Sequence, residues 1–286
     1  MFGILLVSFG TLIAEVGNTI GKKEVLKHRE SVLGMGFLNG LWATIFLLLI
    51  VFAVPSGFLP AGISSDYVFD PASLPTFLVR VALELVIIHL ILEGVARASR
   101  TTFTFLRMVT IPLLLIVDLA LGYSIGLLEI SGIAIIIFTT IYLVASSTLE
   151  KAGMWYVLSA AVLAVATISL YQYHITTFNS VAGEQLTISL ILVTYLFCAT
   201  VYKTKKNPLR HLKRPKVFLQ SLSVGLGSVF VSFAFLFAAS SVITAAKRTS
   251  SVLWSIISGN IYFHEKKFVL KMHAFLILVV GLFLLT

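Results

Sequence analysis

Charge is scarce in this sequence. Charged residues make up 12% of its 286 positions and hydrophobic ones 58%. A soluble domain carries about 25% charged side chains and under half apolar ones. So little polar side chain cannot cover a chain of this length in water, which excludes a soluble globular protein, a disordered protein and a nucleic-acid-binding domain. Cysteine is almost absent. The single Cys198 lies in an apolar run, so no disulfide can form within the chain and the residue reads as a small filler on a helix. Catalytic signatures are missing too: there is no His-Glu-x-x-His metal motif, no Walker loop, no Gly-x-Ser-x-Gly elbow and no cysteine–histidine ligand cluster. These absences predict no metal, no cofactor and no enzymatic activity, and they exclude ATP-driven pumping by this chain alone.

What is present is a series of apolar runs. A membrane-spanning helix needs about 20 such residues to cross about 30 Å of hydrocarbon. Ten segments qualify: Phe2–Ile20, Val32–Phe52, Leu74–Ala96, Thr101–Leu121, Leu128–Ser147, Gly153–Tyr171, Gln185–Tyr202, Val217–Ala239, Ser241–Tyr262 and Phe268–Leu285. Their length and their lack of period-two alternation argue for helices rather than barrel strands. The first run lacks the basic start and small-residue cleavage site of a signal peptide, and reads as a retained helix. The predicted fold class is an all-α membrane protein with ten transmembrane helices.

The net charge of +9 then reads as a topology signal. Lys22, Lys23, Lys27, Arg29, Arg97, Arg100, Lys151, the stretch Lys203–Lys216, Lys266 and Lys267 all fall in alternate loops. The opposite loops, Ala53–Ser73, Gly122–Leu127 and Gln172–Glu184, contain no lysine or arginine. The positive-inside rule places the basic loops in the cytosol and both termini outside.

The chain also repeats itself. A basic, hydroxyl-rich turn, SRTT at Ser99–Thr102, leads into a helix, a polar break and a last apolar helix. KRTS at Lys247–Ser250 opens the same series near the end of the chain. Two halves with an odd number of spans must lie upside down to one another, here residues 1–148 and 149–286. Inverted repeats of this kind build alternating-access transporters with a site near the midplane.

The stretch KRTSSVLWSIISGNIYFHEKK, Lys247–Lys267, with its Phe263-His264-Glu265 turn, resembles the last segment of the EamA-like family of the drug/metabolite transporter superfamily. Pro112 stands where the first half of that family often has a proline, whereas Tyr123 and Ala274 depart from its pattern. The resemblance implies secondary transport of small organic metabolites or drugs. It also implies that helices 1–4 and 6–9 line a central cavity while helices 5 and 10 stay peripheral.

Ionisable residues inside apolar spans are costly and mark candidate sites. Glu15 has no basic residue within a turn on its own helix, so it requires a proton, a partner on another helix or a wet cavity. Asn18 stands one turn away. Arg80 and Glu84 share a face of helix 3, as do His89 and Glu93. Glu15 and Glu84 are the candidate proton-coupling groups. Arg107, Lys247 and Arg248 fall at similar depths in the two halves and suit a carboxylate or phosphate, or else pair with Glu15, Glu84 or Asp118. Asn39, Trp42, Trp254 and Asn260 are further pocket candidates, the aromatics for organic rings and cations. Gly36 and Gly40, and Gly225, Gly227 and Ser228, would let helices approach closely. Pro112 would free a backbone carbonyl and form a hinge. Acids and bases within the spans roughly balance, which favours a zwitterionic or mixed substrate. The function predicted is secondary, proton-coupled transport or export of a small organic solute. Its setting is a prokaryotic cell membrane, its partners are the solute and membrane lipid without nucleic acid, and its state is monomer or homodimer. The competing readings are a membrane enzyme acting on lipid-linked substrates and a non-transporting sensor or assembly subunit.

Overall fold

The structure, a computed structural model, describes residues 2–27, 31–53, 66–120, 127–146, 149–238 and 240–284. Arg29, loop residues 54–65 and Tyr123 lie outside it, as does the side chain of Asp118. Among the described residues the regular structure is helical throughout: α1 (Phe2–Leu26), α2 (Val32–Ala53), α3 (Leu74–Arg97), α4 (Arg100–Leu106), α5 (Thr110–Ala120), α6 (Leu127–Ala145), α7 (Met154–Thr177), α8 (Val181–Thr204), α9 (Pro215–Ala234), α10 (Ser240–Phe263) and α11 (Phe268–Phe283). Seven helical segments among the described residues are long and apolar enough to cross a membrane: α1, α2, α3, α4 with α5, α7, α8 and α9. The chain is an all-helical integral membrane protein. α10 has the length but carries Lys247 and Arg248, and α6 and α11 hold shorter apolar stretches, Ile130–Leu143 and Phe268–Gly281.

Several helices run beyond their apolar cores. α7 extends to Thr177 and α8 begins at Val181, so the loop expected over Gln172–Glu184 shrinks to a turn at 178–180. Polar side chains at these ends find partners, which removes the reason for them to leave the helix. Thr176 donates back to the Gln172 carbonyl (2.9 Å), and Ser180 caps α8 by accepting from the Gly183 amide (2.9 Å). The span expected over Thr101–Leu121 is divided by a 3-10 turn at Arg107–Val109. Pro112 has no amide hydrogen to give the Met108 carbonyl four residues earlier, and the Thr110 amide and hydroxyl bond back into the turn instead.

Without a hydrophobic driving force between helices in lipid, close backbone approach matters most. α1 packs along α9, and α2 packs between α8 and α9. A Cβ on Gly10 would sit 2.8 Å from the Gly227 carbonyl, and one on Gly17 2.5 Å from the Gln220 carbonyl. A Cβ on Gly225 would sit 2.5 Å from the Trp42 Cβ. Elsewhere α3 lies on α7, α10 on α1 and α4, and α11 on α6 and α10. The largest buried apolar cluster, with Phe105, Met108 and Ile256, joins α4, α10 and their neighbours.

Candidate functional site

Three charged assemblies occupy the interior among the described residues, two of them closed by ion pairs and one without an ion pair. The first ties α3, α7 and α8 together near the loops that join α2 to α3 and α7 to α8. Glu184 is fully buried and has three side-chain partners: Arg80 forms an ion pair with it, His174 Nδ1 lies 2.7 Å from Oε1, and Asn179 donates to Oε2 at 2.6 Å. His174 Nε2 lies 2.8 Å from the Thr76 hydroxyl, and Asn179 also donates to Ser73 (3.1 Å). The Arg80 guanidinium rests 4.8 Å above the Tyr171 ring. Arg80 is thus engaged across helices by Glu184 and not by Glu84 one turn away.

The second assembly lies at the opposite ends of the helices, where α3 meets α4 and α10 meets α11. Arg100 forms an ion pair with Glu15, which also accepts from Ser251 (2.6 Å). Glu265 accepts from the Arg100 amide (2.7 Å), from the Thr101 hydroxyl and from Lys271 (2.8 Å). Gly259 leaves the room for it: a Cβ there would lie 2.9 Å from the Glu265 carboxyl carbon. Burial pushes the Glu265 carboxyl up, but the bonds from Lys271 and Thr101, the Lys271 charge and the Arg100 amide outweigh it and hold the group below its ordinary value. Lys22, buried as well, donates to the Ala98 carbonyl.

Between these assemblies lies a cavity of about 200 Å³ lined from α3, α7, α8, α9 and α10. Arg80 and Glu84, Lys247 and Arg248 all face it, so four of the sequence candidates meet there. Arg107 stands close enough that its charge acts on Glu84, Lys247 and Arg248. Arg248 is only 4% exposed. Neither it nor Lys247 nor Arg107 reaches a carboxylate at ion-pair distance among the described residues; the Thr244 hydroxyl is buried without a hydrogen-bond partner, as are the Nε atoms of Arg107 and Arg248 and also those of the ion-paired Arg80 and Arg100. Arg107 rests on the Phe103 ring at 5.2 Å. With Arg80 taken by Glu184, Lys247 and Arg248 in the lining, and Arg107 near it, stand against one lining acid, Glu84, which itself has no ion-pair partner among the described residues.

The other candidates fall elsewhere. Asn39 accepts from Gln220 and so links α2 to α9. Trp42 packs against Phe46 and Phe218, with ring centroids 5.9 and 5.3 Å away. Trp254 lines a second, larger groove together with one edge of Glu15, and Asn18 lines neither space. Glu93 pairs with Arg97 at the surface (2.8 Å), and His89 lies 2.6 Å from the Tyr195 hydroxyl. Sequence reasoning passed over Arg100, His174, Asn179, Glu184 and Lys271 as site residues. Their signal was weak because each stands within a turn or two of a helix end, where a charge reads as a loop residue. Among the described residues no group of three or more His, Cys, Asp or Glu side chains could hold a metal ion. Comparison with models of known families, and with characterised proteins, finds no match for this sequence.

Proposed function

We propose that the chain is a secondary transporter of a small organic solute bearing a carboxylate or phosphate group. The observation that carries this reading is the cluster of cations without carboxylate partners in the inner cavity. Burying a charge costs several kcal/mol even after relaxation, and against Arg107, Lys247 and Arg248 stands one described acid, Glu84, which forms an ion pair with none of them. An anionic solute would supply the missing partner, with the planar donor forks of the two arginines matched to two oxygens. The volume suits a metabolite better than a drug-sized molecule, for which pockets of about 300–1,000 Å³ are usual.

The reading takes ten spans in two inverted five-helix halves, as the resemblance to EamA-like transporters implies, with no reaction at the site. The packing supports the exchange of halves. Pairing α1 with α9 corresponds to pairing α7 with α3, while α2 with α8, α4 with α10 and α6 with α11 each map onto themselves. Arg107 and Lys247 stand equally far into segments that begin at Arg100 and Ser240. The Glu15–Arg100 and Arg80–Glu184 assemblies would then be the closures at the two ends, opened alternately as the halves rock. Glu84, facing the cations, is the proton-sensitive group in this account, since Glu15 is engaged by Arg100. The basic loops lie in the cytosol of a prokaryotic cell and both termini outside.

Counterflow into proteoliposomes tests the reading with a panel of carboxylates, phosphate monoesters, sugars and organic cations. Exchange of an anionic solute is expected, lost on Arg248→Gln and stripped of its pH dependence by Glu84→Gln. Exchange confined to sugars or cations and unaltered by Arg248→Gln would contradict it.

A further inference from the structure

A space larger than the charged cavity lies along α1 and α10. α9 and α10 each pack on α1, and a groove of about 470 Å³ runs between them with α1 as its floor. Its length is mostly apolar, lined by Leu12, Val16 and Ile20 of α1 and by Ile257 and Ile261 of α10, with Glu15, Thr19 and Ser258 among them. Its mouth is cationic. Lys23, Lys27 and Lys216 line it and are exposed, and among the described lining residues Glu24 is the acid at that end. The basic surface continues outward through Lys203, Lys205, Lys206, Arg210 and Lys213, all exposed. Tyrosines mark the same level. Tyr262 lines the mouth with Lys23 5.7 Å from its ring centroid, and Tyr202 holds Lys205 at 4.8 Å. Tyrosine paired with lysine is the side-chain chemistry of the membrane–water boundary.

An apolar trough that ends in three lysines at this level is complementary to one kind of molecule, with an extended hydrocarbon chain and an anionic head. Basic pockets between membrane helices bind anionic head groups in this way. We propose that the α1–α9–α10 groove is a binding site for an anionic phospholipid of the surrounding membrane. Its phosphate sits among Lys23, Lys27 and Lys216, and one acyl chain lies along Val16 and Ile257. The site is separate from the inner cavity: the two share no lining residue. It therefore stands or falls independently of what the cavity carries.

The test is photolabelling of the full chain in nanodiscs with phospholipids carrying a diazirine on one acyl chain, with either a glycerol or a choline head group. Labelled peptides are mapped by mass spectrometry. Phosphatidylglycerol should label α1 and α10 in preference to phosphatidylcholine. Each lysine replaced by glutamine should weaken that preference about fivefold, so the triple variant Lys23→Gln/Lys27→Gln/Lys216→Gln should lose it. These lysines are exposed, and the variant should melt as the parent does. Val16→Trp, which fills the trough, should remove the groove label for both lipids. Equal labelling by the two lipids in the parent protein would overturn the proposal. So would a preference that survives in the triple variant, a label spread evenly over α3 and α8, or a groove closed to both lipids because a second copy of the chain covers it.

Discussion

Carboxylates in this protein are held in different ways, and their surroundings decide what each can do. Glu184 is held by Arg80, His174 and Asn179, so its carboxylate ties helices together. Glu84 has no such partners among the described residues. Glu265 sits outside the spans in the α10–α11 turn, where it accepts from the Arg100 amide and Lys271. Its carboxyl is held below the ordinary value in the folded protein. A group depressed on folding binds its proton more readily in the unfolded chain. Its stabilisation is therefore complete above the unfolded value, about 4.3, and is lost as pH falls through the folded one. The melting temperature of the parent protein should drop more steeply than that of Glu265→Gln on acidification below about pH 4.3. Parallel pH profiles would show that Glu265 does not carry this linkage.

At the scale of the elements, α1 and α9 are joined by a seam of small residues. Gly3, Gly10 and Gly17 recur every seven residues, and a Cβ on any of them would meet α9 or the residues just past its end at 2.8 Å or less. A side chain at Gly10 has backbone in its way and cannot be accommodated by a rotamer change. Gly10→Leu should cost about 1–3 kcal/mol by overpacking, read as a lower melting temperature in detergent. Gly40→Ala meets only the end of Val193 and should cost less. An equal loss in both variants would argue against the seam. Much of this level was legible in the sequence. The ten apolar runs reappear as helical segments, and Gly225 and Gly227 lie where helices meet. The seven-residue glycine spacing in α1 is equally visible in the sequence. The helix ends were not legible. Gln172, His174 and Thr176 look like loop residues until Glu184 and the backbone are available as partners, and those partners come from tertiary structure.

For the whole molecule the central feature is an imbalance of charge that could not be read from the chain. Counting acids and bases along the spans gives near neutrality, and hence a mixed substrate. Folding sorts them instead: Glu15 goes to Arg100 and the overlooked Glu184 to Arg80, and the remaining cations gather around one cavity. Glu84, Arg107, Lys247 and Arg248 were each visible as costly charges in apolar surroundings, but their convergence depends on which helices pack together. Natural proteins keep such strained groups where function needs them and give up stability in exchange. The most direct test is thermal unfolding of purified Arg248→Met beside the parent protein, each with and without a panel of small carboxylates and phosphate monoesters. The account predicts that ligand-free Arg248→Met melts higher, because a buried charge with no ion-pair partner among the described residues, costing at least about 1–3 kcal/mol, is gone. It also predicts that an anion raises the melting temperature of the parent protein alone. A variant that melts lower without ligand, and still gains stability from the same anion, would contradict it.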